Sequence, residues 1–125
     1  MLHQVTFFGI SYRGDVGDTR YTPVEILVKK VTEAGAYVNL HDPYVSFWEE
    51  QACNVETSIE KVLEVSPNLI IMSTGHSEYK NLEFVHRLLE LNTTNIYDTI
   101  GLFNDEQLTL LKSKHKVSVL GRGDL

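Results

Sequence analysis

The first 35 residues contain a strand-like segment, a glycine-containing loop and an amphipathic helix in direct succession. Residues 4–10 (Gln-Val-Thr-Phe-Phe-Gly-Ile) are mostly apolar on both faces, as a strand covered on both sides by helices requires. Thr22 and Pro23 are typical of an N-cap and a first helical position, apolar residues then recur at helical spacing to Ala34, and Gly35 marks the end. The segment predicts a buried strand that leads into a helix.

The loop between that strand and that helix, residues 9–23, is suited to binding an anion. Backbone N–H groups and the helix dipole attract negative charge at a helix start, and Arg13 and Arg20 add positive charge there. The glycine spacing is not that of the dinucleotide fingerprint, and no Gly-Lys-Ser/Thr follows. An alternative therefore stays open, in which the glycines serve turn geometry alone. In both interpretations we expect Asp15 and Asp18 to cap the turn and orient Arg20, and not to act in catalysis.

The rest of the chain alternates between strand-like and helix-like segments, which is typical of a parallel sheet flanked by helices. We therefore predict an α/β fold, a Rossmann-like three-layer domain with a mostly parallel sheet. In such a fold ligands bind beyond the carboxyl ends of the strands, so residues 9–20, 41–43, 73–76 and 98–101 should form one rim. The predicted strands are residues 5–10, 37–41, 69–73, 94–97 and 117–120, and the predicted helices are residues 23–34, 57–65, 79–91 and 105–114.

Composition limits the other possibilities. A chain of 125 residues with 42% hydrophobic residues is expected to form a single domain, residues 1–125. The net charge of −6 argues against nucleic acid as a partner, because binding that polyanion needs a wide basic face. The longest apolar runs are too short to span a membrane, and no signal-peptide pattern begins the chain, so we expect a cytoplasmic location without membrane contact.

The single cysteine and the five histidines give no sign of a catalytic or metal site. Cys53 follows an acidic segment and has no nearby cation to lower its pKa, so an inert thiol is expected. The histidines lack metal-ligand spacing and are interpreted as ordinary surface or turn residues. They are His3, His41, His76, His86 and His115.

Four segments carry a resemblance to a known family. Residues 12–20 (Tyr-Arg-Gly-Asp-Val-Gly-Asp-Thr-Arg), followed by Thr22-Pro23, resemble the opening motif of the C-terminal, UDP-binding domain of the UDP-glucose/GDP-mannose dehydrogenase family. Residues 34–45, with the Asp42-Pro43 turn, resemble its second strand, and residues 97–99 and 120–123 resemble its closing strands. The helix start at Pro23 favours the branch that oxidises UDP-N-acetylhexosamines such as UDP-N-acetylmannosamine.

The resemblance implies a function as part of a larger NAD-dependent enzyme. In that family an N-terminal Rossmann domain holds NAD, a central helical segment mediates dimerisation, and the C-terminal domain closes over the UDP-sugar. The motif implies that Tyr12 and Arg13 contact the uridine diphosphate and that Arg20 reaches the NAD pyrophosphate or ribose. The complete enzyme, expected to be a homo-oligomer, oxidises the C6 alcohol of the sugar to a carboxylate through a thioester. The catalytic cysteine belongs to another domain, so the resemblance implies no catalytic residue here and an inactive isolated chain.

Two departures from the family pattern bear on binding. Arg13 stands where the family usually has lysine, and Ile100 and Gly101 occupy a stretch where many members carry a further phosphate-binding arginine. Two other interpretations stay open: a stand-alone nucleotide or nucleotide-sugar binding module without catalysis, and a response-regulator-like domain in which Asp42 and Thr74 would be signalling residues. The second lacks the paired acids after the first strand and the lysine after the fifth.

Overall fold

The computed structural model describes residues 3–121 and contains seven strands and four helices within that range. Arg122 and Gly123, the end of the last segment that resembles the family, lie outside the described residues. In chain order the elements are β1 (Gln4–Phe8), α1 (Val24–Glu33), β2 (Tyr37–His41), β3 (Phe47–Trp48), β4 (Cys53–Asn54), α2 (Ile59–Val62), β5 (Leu69–Met72), α3 (Leu82–Leu89), β6 (Asn95–Asp98), α4 (Asp105–Lys112) and β7 (Lys116–Val119).

Five strands form one parallel sheet in the order β2-β1-β5-β6-β7. β1 lies between β2 and β5, and its last residue, Phe8, pairs with His41 on one side and Met72 on the other. The chain thus leaves β1 toward one side of the sheet and later continues on the other, which makes the carboxyl end of β1 the topological switch point. The predicted Rossmann-like α/β fold with a mostly parallel sheet is confirmed.

The alternation of side chains along the strands produces a core on each face of the sheet. Val5 and Phe7 of β1 pack on the face covered by α1, whereas Phe8 packs on the opposite face with residues of α2, α3 and α4. Two helices begin at asparagine caps that the sequence provides: Asn81 accepts from the Phe84 N–H, and Asn104 forms a capping box with Gln107. Among the residues described, no helix is long and apolar enough to cross a bilayer.

The bounds of several elements differ from the sequence prediction. α2 is a single turn, Ile59–Val62, and not a helix over residues 57–65, because Ser58 caps it and Leu63 ends it. α3 begins three residues later than predicted, since Ser77–Tyr79 forms a separate 3-10 turn before the Asn81 cap. At α1 the cap position is Pro23 and not Thr22, and the Thr22 hydroxyl accepts weakly from the Val24 N–H at 3.4 Å.

The short antiparallel hairpin of β3 and β4 is absent from the elements predicted from the sequence. A 3-10 turn, Glu49–Gln51, joins the two strands, and Ala52 closes it with a left-handed backbone (φ 49°). Trp48 of β3 is fully buried and packs in the core that α1 covers. Cys53 is half-buried and burial raises its pKa, which agrees with the expectation of an inert thiol.

Candidate functional site

The carboxyl ends of β1, β2, β5 and β6 meet at one edge of the sheet, and hydrogen bonds join the loops that leave them. The Gly9 N–H donates to the His41 carbonyl at 2.7 Å, and the Thr74 hydroxyl donates to the Ser11 carbonyl at 2.9 Å. The Thr99 hydroxyl donates to the Met72 carbonyl at 2.7 Å, which fixes the start of the loop after β6. The structure therefore brings together the rim that the sequence predicted.

The carboxylate of Asp42 is the centre of this rim. Its Oδ2 accepts hydrogen bonds from the backbone N–H groups of Ile10 (3.0 Å) and Ser11 (3.1 Å), from the Ser11 hydroxyl (2.7 Å) and from His76 Nε2 (2.8 Å). Its Oδ1 accepts from the Tyr44 N–H at 2.9 Å. Burial alone would raise the pKa of Asp42, but these hydrogen bonds outweigh it and lower the pKa below its usual value. The ionised carboxylate thus anchors the first half of the loop after β1.

A second set of contacts anchors the middle of the same loop. The Asp15 N–H donates to His76 Nδ1 at 2.9 Å, and the Asp15 carboxylate accepts from the N–H and the hydroxyl of Ser77, both at 2.7 Å. The hydrogen bonds from Ser77 lower the pKa of Asp15. Gly14 lies so close to the Gly75 carbonyl that a Cβ atom would sit 2.3 Å from its oxygen. Residues 12–18 are thereby folded against the turn after β5.

The three buried histidines correct the sequence interpretation. His3 and His86 are exposed, as expected for surface residues, whereas His41, His76 and His115 are buried and hydrogen-bonded through both ring nitrogens. Within residues 3–121, no cluster of three or more His, Cys, Asp or Glu side chains could hold a metal ion. The buried histidines therefore serve the packing of the rim and the core, a role that their scattered sequence positions could not indicate.

His41 shows the cost of placing an imidazole in the core. Burial lowers its pKa to about 4. Its Nε2 lies 3.2 Å from the Thr57 carbonyl, which only accepts, so Nε2 carries the proton and Nδ1 accepts from the Tyr79 hydroxyl at 2.7 Å. Burial raises the pKa of Tyr79, so this phenol stays protonated and can donate. With a pKa of about 4, His41 is neutral in the folded protein at pH 7.

The residues that the sequence singled out for binding lie on the outer side of the anchored loop. Tyr12 is 58% exposed, and Arg13 is exposed and forms no hydrogen bond or ion pair with any described residue. Arg20 is held by Asp18, whose two carboxylate oxygens accept from Nε and Nη2, each at 3.1 Å. The hydrogen bonds from Arg20 lower the pKa of Asp18, and the charge of Arg13 contributes. Asp18 thus orients Arg20 as predicted.

Asp15 was also predicted to orient Arg20, and this part of the prediction is wrong. Its carboxylate binds Ser77 and not Arg20, and its backbone adopts a left-handed conformation (φ 62°) that allows both of its contacts with the turn after β5. It holds the loop in place, as expected of a turn residue, but leaves the orientation of Arg20 to Asp18 alone.

The rim loop after β6, residues 98–101, contains no lysine or arginine. The Asp98 carboxylate accepts from the N–H groups of Ile100, Leu102 and Phe103 at 3.0 to 3.2 Å, which folds the chain into a tight turn with Gly101 at φ 67°. Ile100 lies within this turn and is 43% exposed. The structure therefore presents an apolar side chain at the position where the resemblance led us to look for a phosphate-binding arginine.

A groove of about 1,020 Å³ lies away from the rim, across the face of β5, β6 and β7 that α1 leaves uncovered. It is lined by side chains such as Leu69, Tyr97 and Lys116, and neither Arg13 nor Arg20 borders it. Although this groove is large, we do not assign the anion site to it, because Arg13 and Arg20 lie on the loop after β1 and not in its lining.

Comparison with known proteins agrees with the fold and with the resembling motifs. A family model described as the UDP-glucose/GDP-mannose dehydrogenase family, UDP binding domain, matches residues 6–105. The UDP-N-acetyl-D-mannosamine dehydrogenase of Methanococcus aeolicus is 36% identical over 80 residues, which cover 64% of this chain and 17% of the relative. The enzyme of the same name from Methanococcus vannielii is 29% identical over 123 residues, 96% of this chain and 27% of the relative.

Solved structures support the same architecture. The NDP-N-acetyl-D-galactosaminuronic acid dehydrogenase of Methanosarcina mazei superposes with a TM-score of 0.81 at 24% identity, over 97% of this chain and 25% of that protein. The UDP-D-ManNAc dehydrogenase of Pyrococcus horikoshii gives a TM-score of 0.78 at 23% identity, over 99% of this chain and 27% of that protein. The chain thus spans about a quarter of the length of these structural relatives.

Proposed function

Because the chain belongs to the UDP-glucose/GDP-mannose dehydrogenase family, we propose that its rim binds the uridine diphosphate part of a UDP-sugar through Tyr12 and Arg13. The observation that carries the proposal is the state of Arg13. Its guanidinium is exposed and unpaired within residues 3–121, on a loop that Asp42, His76 and Ser77 anchor to the sheet edge. An unpaired guanidinium on a fixed loop can bind a diphosphate through two parallel hydrogen bonds without first losing another partner.

The other two residues have supporting roles in this proposal. The exposed ring of Tyr12 offers a flat apolar surface for the uracil or the ribose next to the diphosphate. Arg20 is expected to reach the NAD pyrophosphate or ribose in a closed, complete enzyme. Because Asp18 already binds Arg20 through two hydrogen bonds, Arg20 should contribute little to UDP binding by this chain alone.

We further propose that residues 1–125 are one domain of a longer, cytoplasmic, NAD-dependent and homo-oligomeric dehydrogenase that oxidises the C6 alcohol of a UDP-N-acetylhexosamine to a carboxylate. The support is that the matched relatives are about four times as long as the matched segment and carry the name of UDP-N-acetyl-D-mannosamine dehydrogenases. NAD and the catalytic cysteine belong to other domains in this proposal. The 125-residue chain should therefore bind UDP without oxidising a UDP-sugar.

The Ile100 position lowers the affinity that we expect. A charge-assisted hydrogen bond is worth about 1.5–3 kcal/mol, so the absence of an arginine there corresponds to at least about tenfold weaker binding. Replacing Ile100 by arginine should therefore tighten UDP binding. We expect wild-type binding to be measurable at high micromolar to millimolar UDP, an order-of-magnitude figure for few anchoring contacts.

Isothermal titration calorimetry with UDP, UMP and uridine tests the proposal. We expect UDP to bind more tightly than UMP, uridine to bind least, and Arg13→Gln to weaken UDP binding about tenfold or more. Lys112→Gln, which removes an exposed cation from the end of α4, should leave the affinity unchanged. Equal UDP affinities for wild type and Arg13→Gln would overturn the assignment of Arg13.

A further inference from the structure

His76 links the two anchors of the loop that carries Arg13. Its ring is fully buried between Asp42 and Asp15, with Nε2 at 2.8 Å from Asp42 Oδ2 and Nδ1 at 2.9 Å from the Asp15 backbone nitrogen. Tyr44 and Tyr79 border the ring, with centroid distances of 4.9 and 5.7 Å. The two hydrogen bonds connect the end of β2 to the middle of the loop after β1 through a residue of the loop after β5.

The direction of these hydrogen bonds defines the tautomer of His76. A backbone N–H can only donate, so Nδ1 must be the unprotonated nitrogen that accepts from Asp15. Nε2 then carries the proton and donates to the Asp42 carboxylate. The link requires one acceptor and one donor at the two ring positions, and the neutral Nε2–H tautomer provides both.

We propose that His76 is a positioning residue for the nucleotide site: through the hydrogen bond from the Asp15 N–H to its Nδ1 it holds the loop that presents Tyr12 and Arg13. The proposal rests on the proposed function for its ligand, but the position of the loop can be measured without any ligand. Arg13 is two residues from Asp15 in the chain, so a shift of the Asp15 backbone also displaces the guanidinium.

Other contacts of the loop do not depend on His76. The Tyr12 N–H donates to the Asp18 carbonyl, at 2.6 Å, and the Asp15 carboxylate binds Ser77. Removing the His76 acceptor should therefore leave the fold and the overall shape of the loop in place. The expected loss is local, because one backbone N–H becomes unpaired and the loop gains freedom next to Arg13.

Two substitutions separate the two hydrogen bonds of His76. In His76→Asn the side-chain oxygen can occupy the position of Nδ1 and accept from the Asp15 N–H, but nothing reaches Asp42. In His76→Gln the side-chain nitrogen can occupy the position of Nε2 and donate to Asp42, but no acceptor remains for Asp15. The exposed His86 provides a matched control, His86→Gln.

Amide hydrogen exchange by NMR, without ligand, is the first measurement. We expect His76→Asn to keep the protection of the Asp15 amide within about threefold of wild type, and His76→Gln to lose about tenfold or more of it. The UDP dissociation constant should follow the same order, with His76→Gln about tenfold weaker than His76→Asn and His86→Gln unchanged. Because each variant loses one hydrogen bond, a purely structural role would lower both melting temperatures without separating the variants in these two readouts.

The outcomes are distinct. Wild-type-like protection of Asp15 in His76→Gln, or equal behaviour of the two variants, would overturn the proposal. If neither variant folds, long-range ¹H–¹⁵N correlation spectra of the wild-type imidazole decide: a proton on Nε2 supports the link, and a proton on Nδ1 refutes it. A further outcome is that the two variants differ in Asp15 amide exchange as expected while the wild-type chain binds no UDP. In that case the proposed function fails and the positioning role of His76 stands.

Discussion

An Asp42→Asn substitution removes a buried charge from the rim while keeping the size of the side chain. Four donors converge on Oδ2, and one, the Tyr44 N–H, binds Oδ1. The asparagine can place its oxygen toward the four donors, but its amide nitrogen then faces the Tyr44 N–H. Because two donors would then face each other, the hydrogen bond from the Tyr44 N–H is lost. The four hydrogen bonds to the other oxygen weaken, because an amide oxygen is a neutral acceptor.

The size of the effect follows from these contacts. Losing one charge-assisted hydrogen bond, leaving its partly buried donor without an acceptor, and weakening four others together correspond to about 2–4 kcal/mol. Relief of the burial of a charge opposes this loss, but the lowered pKa of Asp42 shows that its hydrogen bonds already outweigh burial. At about 3 °C per kcal/mol or more for a domain of this size, the melting temperature should fall by about 10 °C.

Urea unfolding followed by circular dichroism at pH 7 gives the free energy of unfolding for wild type and Asp42→Asn. Glu33→Gln, the same change of chemistry at an exposed position on α1, should alter that free energy by less than about 0.5 kcal/mol. A loss in Asp42→Asn no larger than that of Glu33→Gln would refute the reasoning that the Asp42 carboxylate holds the rim together.

Three further predictions concern His41, Gly14 and Asn104. The folded-state pKa of His41, about 4, is below the ordinary value of 6.5, so the unfolded chain binds a proton at His41 before the folded protein does. The contribution of His41 to the free energy of unfolding is therefore full above pH 6.5 and is lost as the pH falls toward 4. Urea unfolding should show a loss of about 2–3 kcal/mol between pH 7 and pH 4.5 that is absent in His41→Gln. Gly14→Ala should lower the free energy of unfolding by about 1–3 kcal/mol because its Cβ would meet the Gly75 carbonyl, whereas Gly75→Ala, with its nearest contact at 3.7 Å, should be nearly neutral. Asn104→Ala removes the capping box of α4 and should reduce the melting temperature through a loss of about 1 kcal/mol, and an unchanged value would contradict that role.

Local sequence patterns predicted the main elements because those elements depend on short-range periodicity and capping. β2 has the predicted bounds, Tyr37–His41, and α4 begins at Asp105 directly after its asparagine cap. The parallel direction of the strands could be predicted from the alternation of strands and helices, because such alternation requires crossover connections. The β3–β4 hairpin could not be predicted, because two-residue strands are too short to show an alternating pattern.

The rim could be located from the sequence, but its internal chemistry could not. The loops were assigned to one edge because parallel strands end together. The pairing of Asp42 with His76 joins residues 34 positions apart, and that of Asp15 with Ser77 joins residues 62 positions apart. No local pattern marks such contacts, so the interpretation of all five histidines as ordinary surface or turn residues missed the burial of His41, His76 and His115. A signal was present in the residue types: a histidine that follows the carboxyl end of a buried strand is well placed to meet an acid from a neighbouring strand.

A crystal structure of the chain with UDP tests the central claim most directly. We predict diphosphate oxygens at hydrogen-bond distance, about 3 Å, from the Arg13 guanidinium, with the uracil or ribose against the Tyr12 ring. Diphosphate bound away from the rim, for example beside Lys116 in the groove on the sheet face, would contradict the account, as would an empty rim at saturating UDP.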